Sequence, residues 1–160
     1  MCESVAWLVL TNKPLYPLTI WAFIGPEAAV RSLAVLAVAP LYAAILWLAR
    51  RFPYGARVAL PLVGLADTIL AAKVFGPGSG AELFLVACGA LAVVGFSGRE
   101  ATTARVLVTV VYASFILALG RLGAPLEAWP PDELARLFVV NAYSAASLAA
   151  FVGLRFAAAR

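Results

Sequence analysis

The chain has 160 residues, of which 64% are hydrophobic and only 12% charged, with a formal net charge of +4. A soluble domain is about half apolar and roughly a quarter charged, so these side chains cannot cover a water-facing surface. The composition excludes a soluble globular enzyme, a disordered regulator and a coiled coil, and points to an all-α, polytopic transmembrane helical bundle.

Six helices are expected in chain order, over residues 4–25, 32–49, 58–75, 82–98, 104–120 and 135–156, as one transmembrane domain spanning 1–160. A spanning helix needs about 20 residues, which leaves room for loops but not for a second soluble domain. Four runs carry no charge: 32–49, 83–98, 106–120 and 137–154. Hydrocarbon offers no water to backbone groups, so such runs must bond internally as helices. The first segment is interrupted by Asn12, Lys13, Pro14 and Pro17, and the third contains Asp67 and Lys73. Its first charge is Glu3 rather than a basic leader, so it is expected to stay attached as a helix.

The connectors are rich in breakers: Gly25-Pro26, Phe52-Pro53, Gly76-Pro77-Gly78-Ser79-Gly80 and Trp129-Pro130-Pro131. Ser79 with Glu82 fits a capping box for the fourth helix. Lys73 and Glu82 flank the same loop and are placed to pair across it. On the sixth helix, Ala145, Ala149 and Gly153, and Ala146 with Ala150, form rows of small residues four apart, suited to close helix contact.

With both termini on one side, that side holds Arg50, Arg51, Arg57, Arg99, Arg105, Arg155 and Arg160. The other side holds Arg31, Lys73, Arg121 and Arg136. Seven basic residues against four place both ends in the cytoplasm.

Several chemistries are excluded. The chain has no histidine, which removes bis-His haem ligation, His-based zinc sites and Ser-His-Asp catalysis. The two cysteines, Cys2 and Cys88, imply no disulfide framework. The glycine-rich loop lacks the Lys-Ser/Thr of a phosphate-binding loop. No catalytic residue, metal site or cofactor is expected, and the arginines at helix ends report membrane orientation rather than nucleic-acid binding.

The candidate functional feature is a polar layer inside the bilayer. At 1.5 Å per residue, Lys13 lies about 12 Å deep and Asp67 about 13–14 Å, on helices that run the same way. A charge at that depth costs about 2.5–3.5 kcal/mol on insertion scales, so a Lys13–Asp67 ion pair is expected. Asn12, Thr68, Tyr112, Ser114, Ser144 and Ser147 fall near the same level, whereas Asn141 sits nearer the outer surface. Such a layer either holds the helices together or lines a small-ligand or ion pocket.

The segment Asn12-Lys13-Pro14 resembles one in the tryptophan-rich sensory (translocator) proteins, but their later aromatic pattern is absent. A likeness in layout covers the whole chain. Arg50-Arg51 after the second helix, the 74–84 connector, Arg99-Glu100, and 139–144 in the last helix resemble the six-helix membrane domain at the N-terminus of bacterial class III nucleotide cyclases and some histidine kinases. That resemblance implies a multi-pass bacterial inner-membrane domain that receives or relays a signal. The sequence ends at Arg160 without a cyclase or kinase domain, so no such activity is carried over. The expected function is a non-enzymatic sensor or accessory membrane protein, the alternative a small oligomeric transporter or channel. The expected partners are the lipid bilayer and either further copies of the chain or a separate cytoplasmic or membrane protein.

Overall fold

In a computed structural model of the chain, the described residues are 2–118, 121–126 and 128–158. The last two residues of the fifth expected helix, and Arg160, lie outside them. The first helix, α1 (Cys2–Phe23), runs through both Pro14 and Pro17. Each proline lacks an N–H and leaves the carbonyl four residues back without its donor. The helix nevertheless continues through both positions on the bonds that remain. Its hydroxyls also turn inward on the backbone: Thr11 Oγ1 donates to the Trp7 and Leu8 carbonyls, and Thr19 Oγ1 to that of Leu15.

Five further rods follow: α2 (Pro26–Arg51), α3 (Pro53–Phe75), α4 (Ala81–Val94), α5 (Gly98–Ala118) and α6 (Pro131–Ala157). No strand occurs among the described residues. Four of the rods, α2, α3, α5 and α6, are long and apolar enough to cross a membrane. Most rods begin before the expected ranges, and prolines open α2, α3 and α6 at their first turn, where a missing N–H costs nothing. At the other end, α4 stops at Val94 rather than continuing to residue 98, and Ser97 is extended.

The rods pack side by side as a helical bundle. The central rods α3 and α4 contact each other; α1 lies against α2, α2 against α3, α5 against α3 and α4, and α6 chiefly against α4. Arg155 Nη2 donates to Ser4 Oγ, 2.9 Å away, so the start of α1 and the end of α6 share one end of the bundle. At that end Arg57 makes a bidentate pair with Glu100 at 2.7 and 2.8 Å and also donates to the Gly95 carbonyl. At the opposite end Arg31 lies over the Trp129 ring and 3.6 Å from Glu133, and Trp129 packs edge-on against Phe75.

The outer surface is apolar. Trp7, Trp21, Trp47, Val86, Ile116 and Leu154 are each at least half exposed, Leu154 at 70%. A soluble monomer rarely carries contiguous apolar patches of that extent; a bundle surrounded by hydrocarbon does.

Three local expectations are corrected. The capping box at Ser79–Glu82 is absent: Gly80, with φ +74°, takes the N-cap position, and Ser79 Oγ accepts from the Ala81 N–H. The box forms instead at Ser97–Glu100, where Ser97 and Glu100 satisfy each other's backbone donors. Lys73 does not pair with Glu82; its Nζ donates to the Leu122 and Ala124 carbonyls at 2.8 and 2.7 Å, which the connector places on its own side. Along α6, Ala145 is buried, but Ala146, Ala150 and Gly153 are exposed, and a Cβ on Gly153 would meet nothing within 4 Å. The small-residue rows therefore do not form a single internal seam, since the buried stripe of α6 follows Leu137, Asn141, Ala145 and Val152.

Candidate functional site

Lys13 sits near the middle of α1 with only 9% of its side chain exposed, and Asp67 near the middle of α3 with 15%. Lys13 Nζ donates to Asp67 Oδ1 at 2.5 Å. It also donates to the Val35 carbonyl at 3.0 Å, and Tyr42 OH donates to Asp67 Oδ2 at 3.0 Å. Three rods thus converge on one buried ion pair. Burial makes such a pair costly unless further hydrogen bonds satisfy it, and Val35 and Tyr42 supply them.

The Val35 acceptor has a backbone origin. Pro40 has no N–H, so the Leu36 carbonyl lacks its ordinary α-helical donor. The Ala39 N–H takes that carbonyl one residue early, and the stretch Leu33–Val38 tightens into a 3-10 helix. Ala39 would otherwise have bonded to Val35. The Val35 oxygen then takes the Val38 N–H within the 3-10 turn, and its second lone pair accepts from the Lys13 ammonium.

A second polar chain lies toward the loop end. Tyr16 OH donates to Asn141 Oδ1 at 2.8 Å, and Asn141 Nδ2 donates to the Ser79 carbonyl at 2.9 Å. Asn141 is 1% exposed and Ser79 fully buried. The loop reaches this depth because Gly80 adopts a left-handed conformation beside Phe138, where a Cβ would come within 2.9 Å of the ring.

Between these groups is a cavity of about 520 Å³, walled by α1, α2, α3, α4 and α6, a volume typical of small-molecule pockets. Lys13 and Asp67 form part of its wall, with Tyr16, Tyr42 and Asn141 beside them. The remainder is largely apolar, including Leu8, Leu60, Leu91, Leu148 and Phe151. Gly64 makes room on α3 for the Cys88 sulfur: a Cβ there would lie 2.8 Å from Sγ.

The residues of the expected polar layer divide into two groups. Asn12, Lys13, Asp67, Thr68, Ser144 and Ser147 all line the cavity. Tyr112 and Ser114 do not, because α5 contributes nothing to the wall; Tyr112 is 64% exposed on the outer surface. Depth along a helix fixes a level but not a direction around the axis, and Tyr112 has the level alone. Asn141, Tyr16 and Tyr42 belong to the site without having been singled out for it. Asn141 does lie toward the loop end, as its depth implies, and the buried loop brings the Ser79 carbonyl to it.

Among the described residues, Lys13 and Asp67 are the only charged ones lining the cavity, and their charges cancel. An ammonium has three N–H donors; two reach Asp67 and Val35, which leaves one for a molecule in the cavity. Among the described residues no group of three His, Cys, Asp or Glu gathers as a metal cluster. The arrangement offers hydrogen bonds and apolar contact without net charge. Comparison with protein-family models, curated proteins and solved structures finds no match.

Proposed function

We propose that the chain is a multi-pass protein of a bacterial inner membrane, with both ends cytoplasmic, that acts without catalysis as a receptor for a small ligand. Seven basic residues at the terminal end against four at the other support the orientation. The layout shared with six-helix cyclase and kinase membrane domains supports a signalling or accessory role, exercised through a separate partner. The observation that carries the reading is that the Lys13–Asp67 pair is not a dry contact: it forms the wall of a cavity of about 520 Å³. Intramembrane charges are costly and tend to mark function.

The test is native mass spectrometry of protein released from its membrane in a mild detergent. The reading expects a small molecule retained at one per chain, lost by at least tenfold in Leu148→Trp, which fills the cavity. A bare mass for the wild type, or equal retention in a Leu148→Trp protein that elutes normally, would overturn it.

The alternative, a small oligomeric transporter or channel, is favoured by the same cavity around the ion pair and by the helix breaks beside it. Pro14, Pro17, Pro40 and Pro61 sit on the three rods around the pair, and such breaks border substrate paths in transporters. Proton or potassium flux into reconstituted vesicles that falls in Asp67→Asn would support it; flux equal to that of empty vesicles would remove it.

A further inference from the structure

Resting on the receptor reading, we infer that the ligand is a neutral single-chain amphiphile with a hydroxyl or ester-carbonyl head, entering sideways from the bilayer through a window between α1 and α6.

The window is defined by two clasps. Arg155 donates to Ser4 at one end and Tyr16 to Asn141 toward the other. Between these clasps, among the described residues, no hydrogen bond or ion pair joins the two rods. The clasps are separated by about 18 Å along α1 and about 21 Å along α6, at 1.5 Å per residue. Between them, Asn12, Tyr143 and Ser147 are exposed on the side of the bundle and also line the cavity. The opening therefore lies at mid-height, where the surrounding phase of a spanning bundle is hydrocarbon, and not at an end.

The chemistry of the wall selects the head. An ionised group would enter with no uncompensated opposite charge to meet, since Lys13 and Asp67 neutralise each other, and burying an unpaired charge is strongly unfavourable. Hydrogen-bond donors are available. Thr11, Thr19 and Thr68 all turn their hydroxyls back onto their own helices. Ser144 and Ser147 do not: neither hydroxyl has a partner among the described residues. With the third N–H of Lys13 they present donors to an uncharged oxygen, and Leu8, Leu148 and Phe151 offer contact to an acyl chain.

The experiment uses full-length protein in phosphatidylcholine nanodiscs and three photoactivatable probes, with crosslinks mapped by mass spectrometry. The probes are a long-chain monoacylglycerol with a diazirine in its chain, an alkyl sulfate of the same chain, and a diazirine-bearing glycerol. The monoacylglycerol is expected to label cavity-lining positions of α1 and α6 at least fivefold above the sulfate. Ser147→Trp, which blocks the window, should reduce that labelling at least fivefold, and Ala146→Trp, one residue away on the outer surface, should leave it unchanged. If Ser147→Trp does not elute as folded protein, Ser144→Phe is read in its place. Equal cavity labelling by the sulfate, or labelling indifferent to the blocking substitution, overturns the proposal. Cavity labelling by the glycerol probe alone overturns lateral entry while leaving a receptor; labelling of the outer surface alone, by every probe, overturns both.

Discussion

Lys13 donates to the Val35 carbonyl at 3.0 Å, within the 3-10 stretch that precedes Pro40 on α2. Pro40 has no N–H, so Ala39 shifts onto Leu36, and the Val35 oxygen accepts from Lys13 beside the Val38 N–H of the 3-10 turn. A lysine in the middle of an apolar helix thus has a backbone carbonyl of its neighbour as well as the aspartate for acceptors.

Removing either charge should leave the other buried and unpaired. Lys13→Met and Asp67→Leu are each expected to destabilise the bundle by about 3–5 kcal/mol. The double substitution should cost clearly less than the two together, because two apolar side chains suit the site better than one orphaned charge. Denaturant titration in mixed micelles measures all three, and strict additivity would mean that the groups do not interact.

Gly64 and Cys88 compete for one space. Gly64→Ala puts a methyl where Sγ lies 2.8 Å away, and overpacking of this kind costs about 1–3 kcal/mol. Adding Cys88→Ala should recover most of the loss. Thermal unfolding of the single and double variants checks the pair.

Gly80→Ala should be damaging, because the residue is buried. The residue has φ +74° and faces Phe138, and the left-handed conformation alone costs a residue with a Cβ about 1–2 kcal/mol. Gly98→Ala is the comparison: a Cβ there meets nothing within 4 Å, and the change should stay within about 0.5 kcal/mol. Equal melting temperatures for the two variants would contradict the placement of the loop.

Tyr16→Phe removes the donor to Asn141 and opens one clasp of the lateral window. Interhelical hydrogen bonds in membranes average about 0.6 kcal/mol with a maximum near 1.7, so the stability loss should be small. The local effect should be larger: hydrogen exchange in α1 around residue 16 and in α6 around residue 141 should rise relative to α3. Unchanged exchange at both places would show that the clasp does not hold the rods.

Much of the architecture could be read from the sequence, for a simple reason. Runs without charge must be helices when water is absent, and a rise of 1.5 Å per residue puts Lys13 and Asp67 at one level. What depth cannot supply is rotation. Tyr112 shares the level and faces outward, whereas Tyr42, an aromatic in an apolar run with nothing to mark it, turns in to Asp67. Asn141 was legible as polar but not as central, since its partner is the carbonyl of a loop whose burial depends on left-handed glycines. Two S-x-x-E segments were present, at Ser79 and Ser97; only the second caps a helix, because the first serine is buried beneath α6.

The central claim, that this bundle carries an ion-paired cavity open sideways to hydrocarbon, is tested most directly by a nitroxide at position 147 in a variant lacking Cys2 and Cys88, reconstituted in lipid. Power-saturation measurements compare its collisions with oxygen, which concentrates in the bilayer, and with a water-soluble nickel chelate. The account predicts dominant oxygen access at Ser147→Cys, as at Tyr112→Cys on the outer surface, and dominant nickel access at Arg99→Cys. Nickel access at position 147 equal to that at position 99 would contradict it.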